Sequence, residues 1–174
     1  MKKWTVDAAH SEIGFSVKHM MVSKVKGSFA SYDAQVEGDE TDIQNALIDF
    51  KIDVASINTN NADRDNHLRS ADFFDAEQHP HITFKANEIA KKGDDEYELT
   101  GDLTMKGVTR LATFDVEYGG KGTNPWGVEV VAFSGEGKVN RKDFGLTWNQ
   151  TLETGGVLVG EDIKISLELQ ANPA

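Results

Sequence analysis

Five histidines and no cysteine bound the chemistry open to this chain. Without thiols there is no disulfide, no thiolate nucleophile and no zinc–thiolate site. His79-Pro80-His81 resembles a metal pair. No carboxylate spacing completes a ligand set, and the proline sits where a strand starts, so a surface turn is the expected reading. Asp7, His10 and Ser11 suggest a nucleophilic triad. They lack the strand–Ser–helix elbow and an oxyanion-hole motif. Their expected role is structural, with the short polar side chains satisfying turn backbone groups.

Two other groups of residues are open to a functional reading. His19 falls on the apolar face that carries Ile13, Phe15 and Val17. It is either a satisfied core or rim residue or a polar handle for a ligand headgroup at a barrel mouth. Asp63, Arg64, Asp65, His67 and Arg69 crowd one short segment. They form either a solvated, ion-paired helix face or a polar gate in which Arg64 or His67 meets an anionic or hydroxylated head. Asp143-Phe144-Gly145 repeats a kinase triplet without the rest of a kinase. Gly135-Glu136-Gly137 is no nucleotide loop, because no helix follows it. No paired acid and base is recognisable.

The elements that must position these residues alternate with period two. Ile48, Phe50, Ile52 and Val54 share a face, as do Tyr97, Leu99, Gly101, Leu103 and Met105. Ala112, Phe114, Val116 and Tyr118 repeat the pattern, and so do Ile163, Ile165, Leu167 and Leu169. Each run reads as a strand with one dry and one wet face. Weaker runs start at Trp4, Ile13, Val25 and Ile82, and Val128 to Val139 is apolar on both faces in its middle. The strand at Val25, Gly27 and Phe29 continues through a bulge to Ala34 and Val36 in this reading. About eight or nine strands result, many separated by turn signals such as Gly93-Asp94-Asp95. The stretch Gly119–Pro125 reads as a long hairpin loop.

One segment, Asn61 to Ala71, favours a helix. Asn60 or Asn61 can cap it, and Asp63 and Asp65 sit in its first turn, where the helix dipole favours anions. Leu68 and Ala71 are its clear apolar contacts, joined by Phe73 and Phe74 just beyond. So small a stripe suits a helix lying on a surface or across an opening.

Antiparallel strands in this number either pack as two sheets or close on themselves. Runs such as Tyr97–Met105 and Val128–Val139 would span roughly 30–40 Å, a length that favours closure. About eight strands give a barrel that is either filled by side chains or holds one small ligand. The inward lists mix large residues with Gly27, Ala86, Gly101 and Ala112. Such a mixture serves a hollow or a solid interior equally well.

Length and charge narrow the class further. The 174 residues suit one domain over 1–174. Net charge is −11 and the isoelectric point about 4.8. An acidic chain repels nucleic-acid phosphates and anionic membranes, although Lys18, Lys24 and Lys26 form a local basic spot. No apolar stretch follows the opening Met1-Lys2-Lys3, and no run of about 18 apolar residues exists, so neither a signal peptide nor a membrane helix is expected. A cytoplasmic location is the default expectation.

The chain resembles the YceI-like family in several blocks that occur in order over nearly its whole length. Asp7-x-x-His10-Ser11-x-Ile13-x-Phe15-x-Val17-x-His19 and Ser23-Lys24-Val25-Lys26-Gly27-x-Phe29 match its opening. Arg64-Asp65-Asn66-His67-Leu68-Arg69-Ser70-Ala71-Asp72-Phe73-Phe74 is similar to its most recognisable block. Gly101 to Thr109, Asn140-Arg141-x-Asp143-Phe144-Gly145 and Val159-Gly160-x-x-Ile163-x-Ile165 match later ones. The resemblance implies an all-β, antiparallel, lipocalin-like β-barrel with one short covering helix. It also implies a long apolar pocket for polyisoprenoid or other amphiphilic lipid chains. Carried over, that pocket is lined by Phe15, Val17, Phe29, Phe50, Ile52, Leu68, Phe84, Leu99, Phe114 and Val116. His19, Arg64 and His67 are the polar candidates near the head.

The expectation is therefore a lipid-binding barrel that sequesters or carries its ligand, with no cofactor beyond that lipid and no catalytic residue. A homodimer is compatible with the resemblance. Two alternatives stay open: an enzyme working on a hydrophobic substrate at His19 or His67, and a solid-cored protein acting through its surface.

Overall fold

The structure, a computed structural model, describes residues 2–20, 23–149 and 159–174. Eleven strands and one α-helix are present among them. They are β1 (Lys3–Val6), β2 (Glu12–His19), β3 (Ser23–Phe29), β4 (Tyr32–Asp39), β5 (Asp42–Asp53), β6 (Ile57–Asn58), α1 (Ala62–Arg69), β7 (His81–Lys91), β8 (Glu96–Met105), β9 (Val108–Thr123), β10 (Glu129–Asn140) and β11 (Val159–Pro173).

These strands make a closed antiparallel barrel of eight staves. β1 and β2 are two parts of one stave, broken by a turn at Ala8–His10. β3 and β4 are parts of the next, broken at Ala30-Ser31. The order then runs β5, β7, β8, β9, β10 and β11. Long β11 closes the ring by pairing its first part with β2 and its last part with β1, from Val159↔His19 to Trp4↔Pro173. The strand expected to run from Val25 to Val36 is thus two strands with different partners, β2 and β6 for β3, β1 and β5 for β4.

Alternation places the dry faces inward. On β9, Ala112 and Phe114 are 5% exposed while Leu111, directly before Ala112, is 69% exposed. Outward positions of β5, β8, β9 and β11 carry Lys51, Asp102, Glu117 and Lys164. The barrel is polar outside and apolar inside, the reverse of a membrane-spanning barrel. Among the described residues, no helix is long and apolar enough to cross a membrane.

The ends of the barrel are distinct. At one end lie the α1 helix, the β8–β9 turn at Lys106-Gly107 and the segment that follows β10. Lys106 (φ 50°) and Gly107 (φ 75°) both take left-handed conformations, as a tight two-residue hairpin requires. At the other end, Trp4, Val131 and Ala171 form a small separate apolar cluster. We call these the α1 end and the Trp4 end.

One expected loop is mostly strand. Gly119 to Thr123 belong to β9, held by Ala132↔Gly120, Val131↔Lys121 and Val130↔Gly122. The register slips between Ala132 and Phe133, and Gly120 has φ 100°. The glycines mark a β-bulge that lets the pair continue, and the turn itself is confined to the residues around Asn124–Val128.

Candidate functional site

Whether the barrel is hollow depends on where its aromatic rings lie. A Cβ added to Gly137 would stand 2.6 Å from Phe114 Cε1, and one added to Gly27 would stand 2.8 Å from Phe15 Cε1. Both are direct cross-strand pairs. Gly101 relates similarly to Phe84, at 2.8 Å from its Cζ. Each ring occupies the space a side chain on the neighbouring strand would fill, so it packs along the wall instead of across the middle. Phe84 and Phe114 then meet edge to face at 5.2 Å.

The interior left over is a cavity of about 530 Å³, within the usual size range of small-molecule sites. Its wall is apolar over most of its length. Its polar members come from the α1 end: Lys18 and His19 from β2, Asn61, Asp63, Arg64 and His67 from α1 and its cap, and Arg141. The arrangement is a greasy shaft with a polar rim.

The helix is fixed across that rim by its own chemistry. The Asn61 side chain accepts from the Arg64 backbone N–H at 3.0 Å and caps α1. The buried Asp65 carboxylate accepts from both the backbone N–H and the hydroxyl of buried Thr59, at 2.9 and 2.6 Å. Arg64 donates to the Thr59 hydroxyl at 2.8 Å and to the Thr59 carbonyl at 2.9 Å. Thr59 thus bridges an acid and a base, and two adjacent charges are satisfied at the edge of the barrel. On the other face His67 lies edge-on to Phe73 (5.0 Å) and Trp148 (4.6 Å) and pairs with Asp72 at 3.0 Å.

Arg141 holds the facing side. It is 2% exposed. Its guanidinium donates to the backbone carbonyls of Gly160 (2.8 Å), Leu146, Trp148 (3.0 Å) and Val159 (3.3 Å). Burial lowers its pKa below the ordinary guanidinium value, and the nearby Glu161 charge works against that shift. The fork of donors ties the segment after β10 to the start of β11 and carries Trp148 to the rim. The Asn149 side chain adds a two-way pairing with the Val159 backbone.

Phe15, Val17, His19, Phe29, Phe50, Ile52, Arg64, His67, Leu68, Phe84, Leu99 and Phe114 all line this cavity. Val116 does not. It lines a second, smaller cavity of about 120 Å³ toward the Trp4 end, because it sits two residues further along β9 than Phe114. Sequence reasoning missed Phe73, Leu146, Trp148 and Arg141 as wall or rim residues. Arg141 and Phe144 stood in a recognised block, but nothing local says that an arginine there is buried.

The remaining candidates take structural places. Asp7 Oδ2 pairs with His10 Nδ1 at 2.7 Å, while the Ser11 hydroxyl accepts from the Gln170 backbone N–H at 2.9 Å. The serine therefore ties β11 to the turn after β1 and does not face His10 as a nucleophile would face a base. His81 opens β7 and pairs with Asp53 at 3.2 Å. Among the described residues, no group of three His, Asp or Glu side chains is placed to hold a metal.

The comparisons with known proteins agree with this architecture. The model of the YceI-like domain family matches residues 4–171. A UPF0312 protein of Staphylococcus aureus is 46% identical over 165 residues, 94% of either chain. Among solved structures, BcnA of Burkholderia cenocepacia superposes with a TM-score of 0.83 at 27% identity, over 95% of this chain and 98% of its own. A Campylobacter jejuni YCEI protein gives 0.77 at 37% identity, over 99% and 98%. A polyisoprenoid binding domain from Saccharophagus degradans gives 0.71 over the whole of both chains, and at 12% identity it shows the shared fold alone.

Proposed function

The chain belongs to the YceI-like family, and from that premise we propose that it binds a long-chain amphiphilic lipid of the polyisoprenoid type in its barrel and sequesters or carries it without chemical change. One observation supports this most: the 530 Å³ cavity is apolar along its shaft and polar at one rim, the distribution an amphiphile's tail and head require. The Saccharophagus degradans domain of the same fold is described as polyisoprenoid binding, which makes a polyprenyl tail the first class to try.

The energetics suit retention of such a ligand. Each buried methylene contributes about 0.8 kcal/mol. Ten buried carbons give roughly 8 kcal/mol, near micromolar affinity before association costs. Tail length then sets affinity more than the head does. The rim supplies positioning: His67 is engaged by Asp72, Phe73 and Trp148, which suits a gatepost more than a general base.

Native mass spectrometry of gently purified protein, followed by lipid extraction and reloading with a polyprenol, tests the reading. A bound mass of several hundred daltons that extracts as lipid, or stoichiometric uptake of the added polyprenol, is expected. Bare protein that takes up no added lipid would contradict it.

A further inference from the structure

The two cavities share Phe50, Leu99 and Leu167 in their walls. These side chains come from β5, β8 and β11, strands that stand apart around the ring. They form a waist between the 530 Å³ upper chamber and the 120 Å³ lower one. The lower chamber is bounded by apolar side chains such as Trp4, Ile48, Ile89 and Val131. Its charged members are Asp39 and Glu40, next to the β4–β5 turn. Glu40 is already paired with Lys121 at 3.7 Å. This chamber offers a hydrocarbon end no cationic partner and no need of one.

We propose that the lower chamber is a tail-end subsite and that the Phe50–Leu99–Leu167 waist makes the protein selective for tail length. The inference rests on the lipid-carriage reading. A short tail fills the upper chamber and stops at the waist. A longer tail displaces Phe50, which lines both cavities and is only partly buried where it packs against the core, so its ring has open volume into which another rotamer can swing. The tail then gains the contacts of the lower chamber. Phe50 is therefore a specificity-determining residue, and Val116, in the wall of the lower chamber but not the upper, sets the capacity of the subsite.

The molecule carries its own reporters. Trp148 lines the upper chamber, Trp4 lines the lower one, and Trp126 is 82% exposed. Fluorotryptophan-labelled full-length protein, freed of bound lipid, gives one ¹⁹F resonance for each. It is titrated with straight-chain fatty acids of increasing length. Short acids are expected to shift the Trp148 resonance alone, and acids beyond a threshold length to shift Trp4 as well, with Trp126 unmoved. Affinity should rise about fourfold per methylene. Phe50→Ala should move the Trp4 threshold to shorter acids. Val116→Phe should silence Trp4 and stop the rise in affinity at the threshold, with short acids bound as before, which also shows that the variant is folded.

A Trp4 resonance unmoved by every length in the unmodified protein overturns the subsite. So does a Val116→Phe variant that weakens short and long acids equally. A Trp148 resonance unmoved by any acid defeats the carriage reading and the subsite together, an outcome distinct from the other two.

Discussion

Phe114 on β9 rests on Gly137 of β10, so close that a Cβ at the glycine would stand 2.6 Å from the ring's Cε1. This single relationship decides whether the middle of the barrel is empty. The ring is only 5% exposed, yet it stays at the wall because its cross-strand partner has no side chain. Gly27 does the same for Phe15. The barrel is hollow by a pairing rule, not by lack of large residues.

Gly137→Val should therefore fill the cavity. The added side chain pushes the Phe114 ring inward, since Phe114 Cε1 and the Thr113 carbonyl leave no other room. Overpacking of this kind costs about 1–3 kcal/mol of stability. Lipid uptake should fall by at least about tenfold while the far-ultraviolet circular dichroism stays that of a β-protein. Uptake unchanged in a folded variant would contradict the argument.

Arg141→Met should be the most destabilising single change at the rim. It leaves several backbone carbonyls in and around Leu146, Trp148, Val159 and Gly160 without their donor. Hydrogen bonds from a charged donor contribute about 1.5–3 kcal/mol net, so a loss of about 3 kcal/mol is expected in denaturant unfolding. Arg141→Lys should recover little, because an ammonium cannot reproduce the planar fork. A loss below about 1 kcal/mol for both variants would mean that the clasp is not holding the segment.

Trp148→Ala should loosen the gate without touching the shaft. It removes the ring that packs on His67 at 4.6 Å and Phe73 at 5.3 Å. Such aromatic pairs are worth about 0.5–1.5 kcal/mol each. Lipid release, followed by stopped-flow transfer to vesicles, should speed up by up to about tenfold. An unchanged release rate would place the exit elsewhere.

Acid should weaken the fold in a defined window. The His10 side chain holds Asp7 below the ordinary aspartate value of 3.8, assisted by the Ala9 backbone N–H. The Thr41 hydroxyl and backbone do the same for Asp39, and Lys142 lowers Glu161 below 4.5. A carboxylate lowered on folding stabilises the protein above its unfolded pKa. That stabilisation is lost as pH falls through the folded value. Tm should begin to fall near pH 4.5 and keep falling below 3.8. The slope should be shallower in Asp7→Asn; Asp39 and Glu161 are exposed and Asp7 is partly exposed, so the effect is modest and salt-sensitive. Parallel pH profiles for the two proteins would remove Asp7 from the account.

Much of this molecule is legible in its sequence, and the residues show why. The alternation of Tyr97 to Met105 and of Ala112 to Tyr118 gives β8 and β9 because one face meets water and the other does not. Asn61 ahead of Asp63 and Asp65 gives the start of α1, since capping is local. What stays hidden is non-local. The glycines from Gly119 read as a loop until β10 pairs with them. Nothing local marks Arg141 for burial, because the carbonyls that converge on it come from residues up to 19 positions away. Equal support for a hollow or filled interior is resolved by which glycine faces which phenylalanine, a matter of register. Val116 shares the inward face of β9 with Phe114, but it sits two residues further along and lines the smaller cavity; where one cavity gives way to the other is set by Phe50, Leu99 and Leu167 on three other strands.

The most direct measurement is calorimetric titration of lipid-free protein with a polyprenol-type amphiphile over a range of temperatures, alongside Gly137→Val. One-to-one binding with a clearly negative heat-capacity change, the mark of apolar surface leaving water, is expected, with both lost in the filled variant. Binding without that heat-capacity change, or binding equally tight once the shaft is filled, would show that the lipid does not enter the barrel.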